Sequence, residues 1–415
     1  MPSRLFTVTA GILALIFAAV PALEEPLAYP GPPGAVEAAF FGMHIHRAAA
    51  GTAWPAVTFS EWRLWDAGVT WPQLETEPGK WDFELLDTYV TLATEHKVDL
   101  LLTLGLTPAW ASARPDEPSA YGRGNAAQPR RIADWEEYVR VVATRYRGRI
   151  HEYEIWNEPN VKGTFTGSAD EMAQLSRAAY RVLKSVDPTI TVISPAATAE
   201  QGVGWLDDFL RHGGCESADV IGYHFYVTPQ PPEAVPALVR SVRRVLHRRG
   251  CDRKPLWNTE SGWAEPKRFS SDEEAAAYLM RSYLLNWLLG VQRCYWYAWD
   301  NHNWSTLDLT ARSGEMTDAG GSYDVIRQWM LGATLYRCNR NPTGLWTCRL
   351  DRASTTTMVL WSENRTQSFA IPPSWQAETI LSWRGGSSRA NGTISVGPAP
   401  VAITTRQTLP SGSMQ

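Results

Sequence analysis

Two segments of the 415-residue sequence place carboxylates where they could do chemistry: Glu154-Ile155-Trp156-Asn157-Glu158-Pro159-Asn160 and Trp257-Asn258-Thr259-Glu260-Ser261-Gly262-Trp263. Each closes a short β-prone run, and Pro159 cannot extend a hydrogen-bonded ladder, so Glu158 and Glu260 read as strand-end residues. Two carboxyl groups facing each other across a sugar can divide the cleavage of a glycosidic bond. One attacks the anomeric carbon and the other protonates the departing oxygen, which with retention of configuration requires a separation of about 5–5.5 Å. The acid needs a raised pKa, and the facing negative charge supplies it. Once a glycosyl-enzyme forms, that charge is gone, the pKa falls, and the same group can deprotonate water.

Around this pair stand other candidates. His44 and His46 share one strand face, but no third ligand stands at metal-binding spacing, so neither a metal nor any other cofactor is expected. Glu152 and Glu154 alternate with Tyr153 and Ile155 and read as a structural pair inside a barrel or at its base. Strict alternation would set Asn157 and Glu158 on opposite faces, so the strand must bulge or turn there for both to reach one site. The 20 tryptophans suit a large core and also a carbohydrate cleft, where indoles stack on the C–H faces of pyranose rings.

These groups need a frame, and the chain supplies one. Eight apolar runs, at 39–46, 62–66, 99–104, 152–156, 191–194, 220–226, 255–259 and 293–299, alternate with helical patterns at 83–96, 134–146, 171–186, 234–248 and 271–289. That alternation predicts an α/β fold, a (β/α)8 barrel with catalytic groups at the strand C-termini. After about residue 332 short β-prone runs such as 356–361 and 379–383 predict a small C-terminal β-sandwich, and residues 23–37 lead in or add a strand. The domain reading is a signal peptide at 1–22, a catalytic barrel at 23–331 and an accessory sandwich at 332–415. The leader carries Arg4, an apolar run from Gly11 to Val20 and a small-residue cleavage pattern, so a secreted protein without a membrane span is expected.

Five cysteines allow two bridges. Cys215 and Cys251 each lie five residues before a strand, which places both sulfurs at one barrel end and predicts their pairing. Cys338 and Cys348 flank a hairpin-like Asn341-Pro342-Thr343-Gly344 turn, leaving Cys294 free and buried. A net charge of −4 with no basic run gives no footing for a nucleic-acid partner.

The Asn-Glu pair ending strand four and the Glu ending strand seven resemble the glycoside hydrolases of clan A over residues 39 to about 330. Thr107-Pro108-Ala109-Trp110-Ala111-Ser112 and Phe41-Gly42-Met43-His44 look most like family 39. The resemblance implies a retaining glycosidase of oligo- or polysaccharides, with Glu158 as acid/base, Glu260 as nucleophile and Asn157 on the sugar 2-hydroxyl. It further implies Arg63 steadying the nucleophile, Tyr226 bonded to it with His224 on the same face, and Trp296, or its rival Trp299, as the floor of the reacting subsite. His44, His46 and Trp110 complete the expected sugar contacts. A carbohydrate-binding protein on a dead barrel, an inverting enzyme and a transglycosylase are the competing readings.

Overall fold

A computed structural model of the chain describes residues 27–405 apart from residue 33; the expected leader at 1–22 lies outside the described residues. Each of the eight apolar runs becomes a parallel strand: β1 (Phe41–Met43), β2 (Glu61–Leu64), β3 (Asp99–Thr103), β4 (Glu152–Glu154), β5 (Thr191–Ile193), β6 (Ile221–His224), β7 (Leu256–Ser261) and β8 (Arg293–Trp296). The order β5-β4-β3-β2-β1-β8-β7-β6 is that of a barrel. A bridge from Ile193 to Val220 and the Ser194 N–H on the Val220 carbonyl at 2.9 Å close it between β5 and β6.

The helices α1 (Glu84–His96), α2 (Ile132–Arg145), α3 (Ala169–Val186), α4 (Gly202–Arg211), α5 (Val235–Arg248), α6 (Asp272–Leu288) and α7 (Asp318–Met330) follow β2 to β8 in turn. Their starts carry the expected chemistry. Ser168 and Glu171 form a capping box on α3, and Pro236 occupies the first turn of α5, where a missing N–H costs least. Among the described residues no helix links β1 to β2; Gly51 and Pro55 interrupt that connection. Gly42 in β1 meets a close approach, since a Cβ there would stand 2.5 Å from the Tyr295 ring.

Beyond α7 residues 334–405 supply six strands of an antiparallel sheet, and Leu27–Pro30 adds the seventh, outermost strand against Thr334–Arg340. A ribbon of Gln367–Ala370 and Thr393–Val396 accompanies it, with Met358, Leu360, Trp375, Val396 and Ile403 as a second core, which is the expected sandwich. Tyr29, Trp346 and Trp361 stack in series at 5.4 and 5.1 Å. Trp361 then donates its indole N–H to Glu233 beyond β6, which also pairs with Arg281 of α6.

Both expected disulfides are present, Cys215–Cys251 and Cys338–Cys348, and Cys294 is free and buried. Cys215 and Cys251 precede β6 and β7, so their bridge lies at the barrel end opposite Glu158 and Glu260. Among the described residues no helix is long and apolar enough to cross a membrane.

Candidate active site

The chain turns sharply after β4. Asn157 still bridges to Ala196 beside it, and Glu158 adopts a left-handed backbone at φ 46°. Its N–H donates to the Ala196 carbonyl, and its own carbonyl accepts from the Val161 N–H and the Thr164 hydroxyl. A left-handed non-glycine residue costs on the order of 1–3 kcal/mol and persists only where the surroundings hold it, so these bonds over-determine it. The turn resolves the parity conflict in the sequence and sends both side chains into the barrel mouth.

Across the mouth, Glu260 stands at the end of β7. Arg63 from β2 donates through Nη1 to its Oε2 at 2.8 Å, and the Tyr226 hydroxyl donates to its Oε1 at 2.9 Å. The same guanidinium donates through Nη2 to Asn157 Oδ1 at 2.8 Å and through Nε to Glu154 at 2.8 Å. Glu154 is itself buried and accepts from the hydroxyls of Thr103 and Thr259 at 3.0 and 2.6 Å. Arg63 is thus aimed from behind: Glu154 fixes its orientation, and the remaining arm meets Glu260.

Glu158 is the more open carboxylate, its side chain 20% exposed against 7% for Glu260. His224 Nδ1 lies 2.9 Å from Glu158 Oε1, and one oxygen or nitrogen from each of Glu158, His224 and Glu260 falls within 4.8 Å of the others. Burial pushes the Glu158 carboxyl up to about 7, with the Asp66 charge adding to it against the Thr198 hydroxyl and the Arg63 charge. Glu260 is also pushed up to about 7 by burial and by the charges of Glu158 and Asp66, opposed by His224 and Arg63. Two like charges this close ionise in turn. The direct ion pair with Arg63, which Glu158 lacks, assigns Glu260 the first negative charge and leaves the proton on Glu158.

Burial holds His224 down at about 4 and His44 well below its usual range, so both imidazoles are neutral near pH 7. His44 Nε2 lies 3.2 Å from the Thr259 carbonyl, which can only accept, so Nε2 carries the hydrogen and Nδ1 is an acceptor. His44 Nδ1, His46 Nε2 and His224 Nε2 are buried without protein partners. Three unpartnered imidazole nitrogens at one mouth fit a ligand rich in hydroxyls, which both donate and accept. The Glu158, His224 and Glu260 cluster suits a cation poorly, because Arg63 already places a positive charge on Glu260 and both of its oxygens are taken.

The strand-eight expectation is corrected. Trp296 is 0% exposed, packs outward against Trp263 and Tyr283, and donates its indole N–H to the Leu307 carbonyl, so it presents no face to a sugar. Trp299, 3% exposed, is likewise in the core. Tyr297 faces inward instead, its ring 5.1 Å from His44 and 4.9 Å from His46, and its hydroxyl donates to Asp66 at 2.7 Å. Trp110 stands edge-on to Trp71 with its indole N–H on the Glu75 carbonyl. Of the two strand-four glutamates, Glu152 sits at the barrel base with Arg293, whereas Glu154 belongs to the mouth.

Asp66, Tyr121, Tyr297 and Trp304 are site residues the sequence reading missed. Asp66 accepts from the hydroxyls of Tyr297 and Tyr121 at the rim. Tyr297 had a signal, as the next residue to Trp296 and so on the opposite face in alternation, whereas Asp66 lies beyond the end of β2 in a left-handed backbone at φ 55° that alternation does not reach. Tyr121 and Trp304 come from the long connections after β3 and β8, which carry no period.

A family model described as Glycosyl hydrolase catalytic core matches residues 151–323, which hold both glutamates. A β-xylosidase of Caldicellulosiruptor saccharolyticus is 31% identical over 146 residues, 32% of this chain, and the match spans only 30% of that relative's length. Among solved structures, a family 39 glycoside hydrolase from the gut symbiont Bacteroides cellulosilyticus WH2 superposes with a TM-score of 0.71 at 18% identity, covering 89% of this chain and 81% of that one. A monomeric β-xylosidase from Caulobacter crescentus CB15 gives 0.64 at 15% identity, over 91% and 98%. These likenesses bear out the barrel fold, and with the family match they bear out the resemblance read from the sequence.

Proposed function

We propose that this chain, a glycosyl hydrolase core on a barrel like those of family 39, is a glycosidase that acts with retention through a covalent glycosyl-enzyme. The observation that carries this reading is that one carboxylate oxygen of Glu158 lies within 4.8 Å of one of Glu260, which favours the about 5–5.5 Å carboxyl separation of a retaining pair over the about 6.5–9.5 Å of an inverting one. The survival of both carboxylates also weighs against a dead binding barrel.

In the first step Glu260 attacks the anomeric carbon while Glu158 protonates the leaving oxygen. The Nδ1–H tautomer of His224 donates to Glu158 Oε1, which turns the acid's other oxygen and its proton toward the leaving group. Arg63 and Tyr226 keep Glu260 ionised in the free enzyme and receive its charge again when the ester breaks. Asn157, held by Arg63, has its amide N–H free for the sugar 2-hydroxyl, and the acceptor nitrogen of His44 suits a second hydroxyl. In the second step Glu158, now facing a neutral ester, accepts a proton from water. Transfer to another sugar would use the same intermediate.

The named relatives make β-xylosides the first substrates to try. The leader-like N-terminus and two disulfides support export. The test is Glu158→Ala on a dinitrophenyl glycoside, which needs little protonation: we expect a burst, slow release, and azide acceleration that yields a glycosyl azide of retained configuration. With a sugar leaving group the same variant should lose roughly 10²–10⁴-fold. Azide rescue confined to Glu260→Ala, or an azide of inverted configuration from Glu158→Ala, would exchange the roles or refute retention.

A further inference from the structure

Trp304, in the connection between β8 and α7, is 49% exposed, whereas the other aromatic residues of the site are largely buried. It is not a loose side chain. Asn301 Oδ1 accepts from three successive backbone N–H groups, those of Asn303, Trp304 and Ser305, at 3.1, 2.7 and 3.1 Å. The amide of Asn301 donates to the Tyr297 hydroxyl at 2.9 Å, so the turn is anchored to the cleft wall. The indole stands edge-to-face against both Tyr226, at 5.3 Å, and Tyr297, at 5.6 Å. A large apolar ring pinned in water at this point is a surface prepared for contact.

The depth of the site says which part of a substrate it meets. A glycone must lie over Glu260, among His44, His224, Tyr226 and Tyr297, all of them buried. Trp304 stands one ring-spacing outside the two tyrosines. The acid, Glu158, is the more open member of the pair, so the bond it protonates points its leaving group toward the solvent side. A flexible or small leaving group would gain little from a fixed indole there, whereas a pyranose offers a flat C–H face of matching size. We propose that Trp304 is the platform for the sugar unit on the leaving side of the scissile bond, so that the enzyme selects substrates whose leaving group is itself a pyranose. The proposal rests on the reading of Glu158 and Glu260 given above.

The experiment compares two substrates that share a glycone. Xylobiose leaves a sugar, and β-xylosyl fluoride leaves a single atom. For Trp304→Ala the ratio of kcat/KM for xylobiose to that for the fluoride should fall roughly tenfold to a hundredfold, the range seen when a buried aromatic anchor is truncated. Trp304→Phe, which keeps a flat face, should recover most of that ratio, and the melting temperature should report that both variants are folded. Equal losses on the two substrates, or an unchanged ratio, would overturn the platform while leaving the glycosidase reading intact. A wild-type enzyme that cleaves the fluoride but not xylobiose would overturn the platform as well, since no pyranose leaving group would then be accepted.

Discussion

The barrel holds two clusters in which one arginine lies between carboxylates, and they differ in what they face. At the base, Arg293 Nη1 is 2.8 Å from Glu61 and 2.6 Å from Glu152, its guanidinium covers the Trp257 ring at 4.0 Å, and Leu101, Ile193 and Val220 wall the group in. Burial and the Glu152 charge push Glu61 up to about 9 despite Arg293, so it holds its proton. At the mouth, Arg63 is shared by Glu154 and Glu260, but a third carboxylate, Glu158, opens to the cleft beside imidazole nitrogens that have no protein partner. Buried Arg–carboxylate pairs are therefore no sign of function by themselves. What marks the mouth is an acid and an ionised base that a ligand can reach together.

The comparison breaks first, if it is wrong, at Glu260. Glu260→Ala should abolish turnover with every leaving group, a loss on the scale of removing a covalent nucleophile, about 10⁶-fold, measured as kcat on both activated and natural substrates. Survival of more than a small fraction of activity would move the nucleophile elsewhere. Glu154→Gln probes the shared arginine. With that charge gone, Arg63 acts on Glu260 alone and lowers its pKa, so the acidic limb of kcat/KM should move to lower pH while kcat falls roughly tenfold. An unmoved limb would reduce Glu154 to packing.

The other end of the barrel should answer in stability and not in rate. Replacing Cys215 and Cys251 by Ser opens a bridge across a 36-residue separation, worth about 4 kcal/mol in the chain-entropy account, and should lower Tm with kcat of the folded enzyme unchanged. A kcat loss in parallel would couple base to mouth. The smallest effect is expected for Glu61→Gln. Glu61 keeps its proton in the folded protein between its ordinary 4.5 and about 9, where the unfolded chain has lost it, so wild-type stability declines as pH rises through that window. The variant removes this term, and its Tm relative to wild type should climb from pH 5 to pH 9. A constant difference would mean that Glu61 is ionised beside Arg293.

Much of this was legible in the sequence, for reasons tied to particular residues. Parallel strands buried on both faces read as apolar runs, and all eight were placed. Helix α4 is short and carries Gly202 and Gly204, and α7 carries Gly320-Gly321 in its first turn, so neither shows a clean helical period. The run Tyr295-Trp296-Tyr297-Ala298-Trp299 is apolar at every position, which erases the parity that would separate the inward Tyr297 from the outward Trp296. Glu158 and Asn157 were identified by type, but the left-handed turn that presents them depends on the Ala196 carbonyl from the neighbouring connection, a contact 38 residues away that no local pattern encodes. Tyr121 and Trp304 are loop residues set by tertiary bonds to Asp66, Tyr226 and Tyr297.

The central claim, that the pair at the mouth works by double displacement, is tested most directly by the configuration of the first product. Proton NMR of a β-xyloside undergoing cleavage should show the β-anomer of the free sugar first, with the α-anomer rising only at the rate of mutarotation. An α-anomer appearing first would mean inversion and would contradict the assignment of Glu260 as a nucleophile.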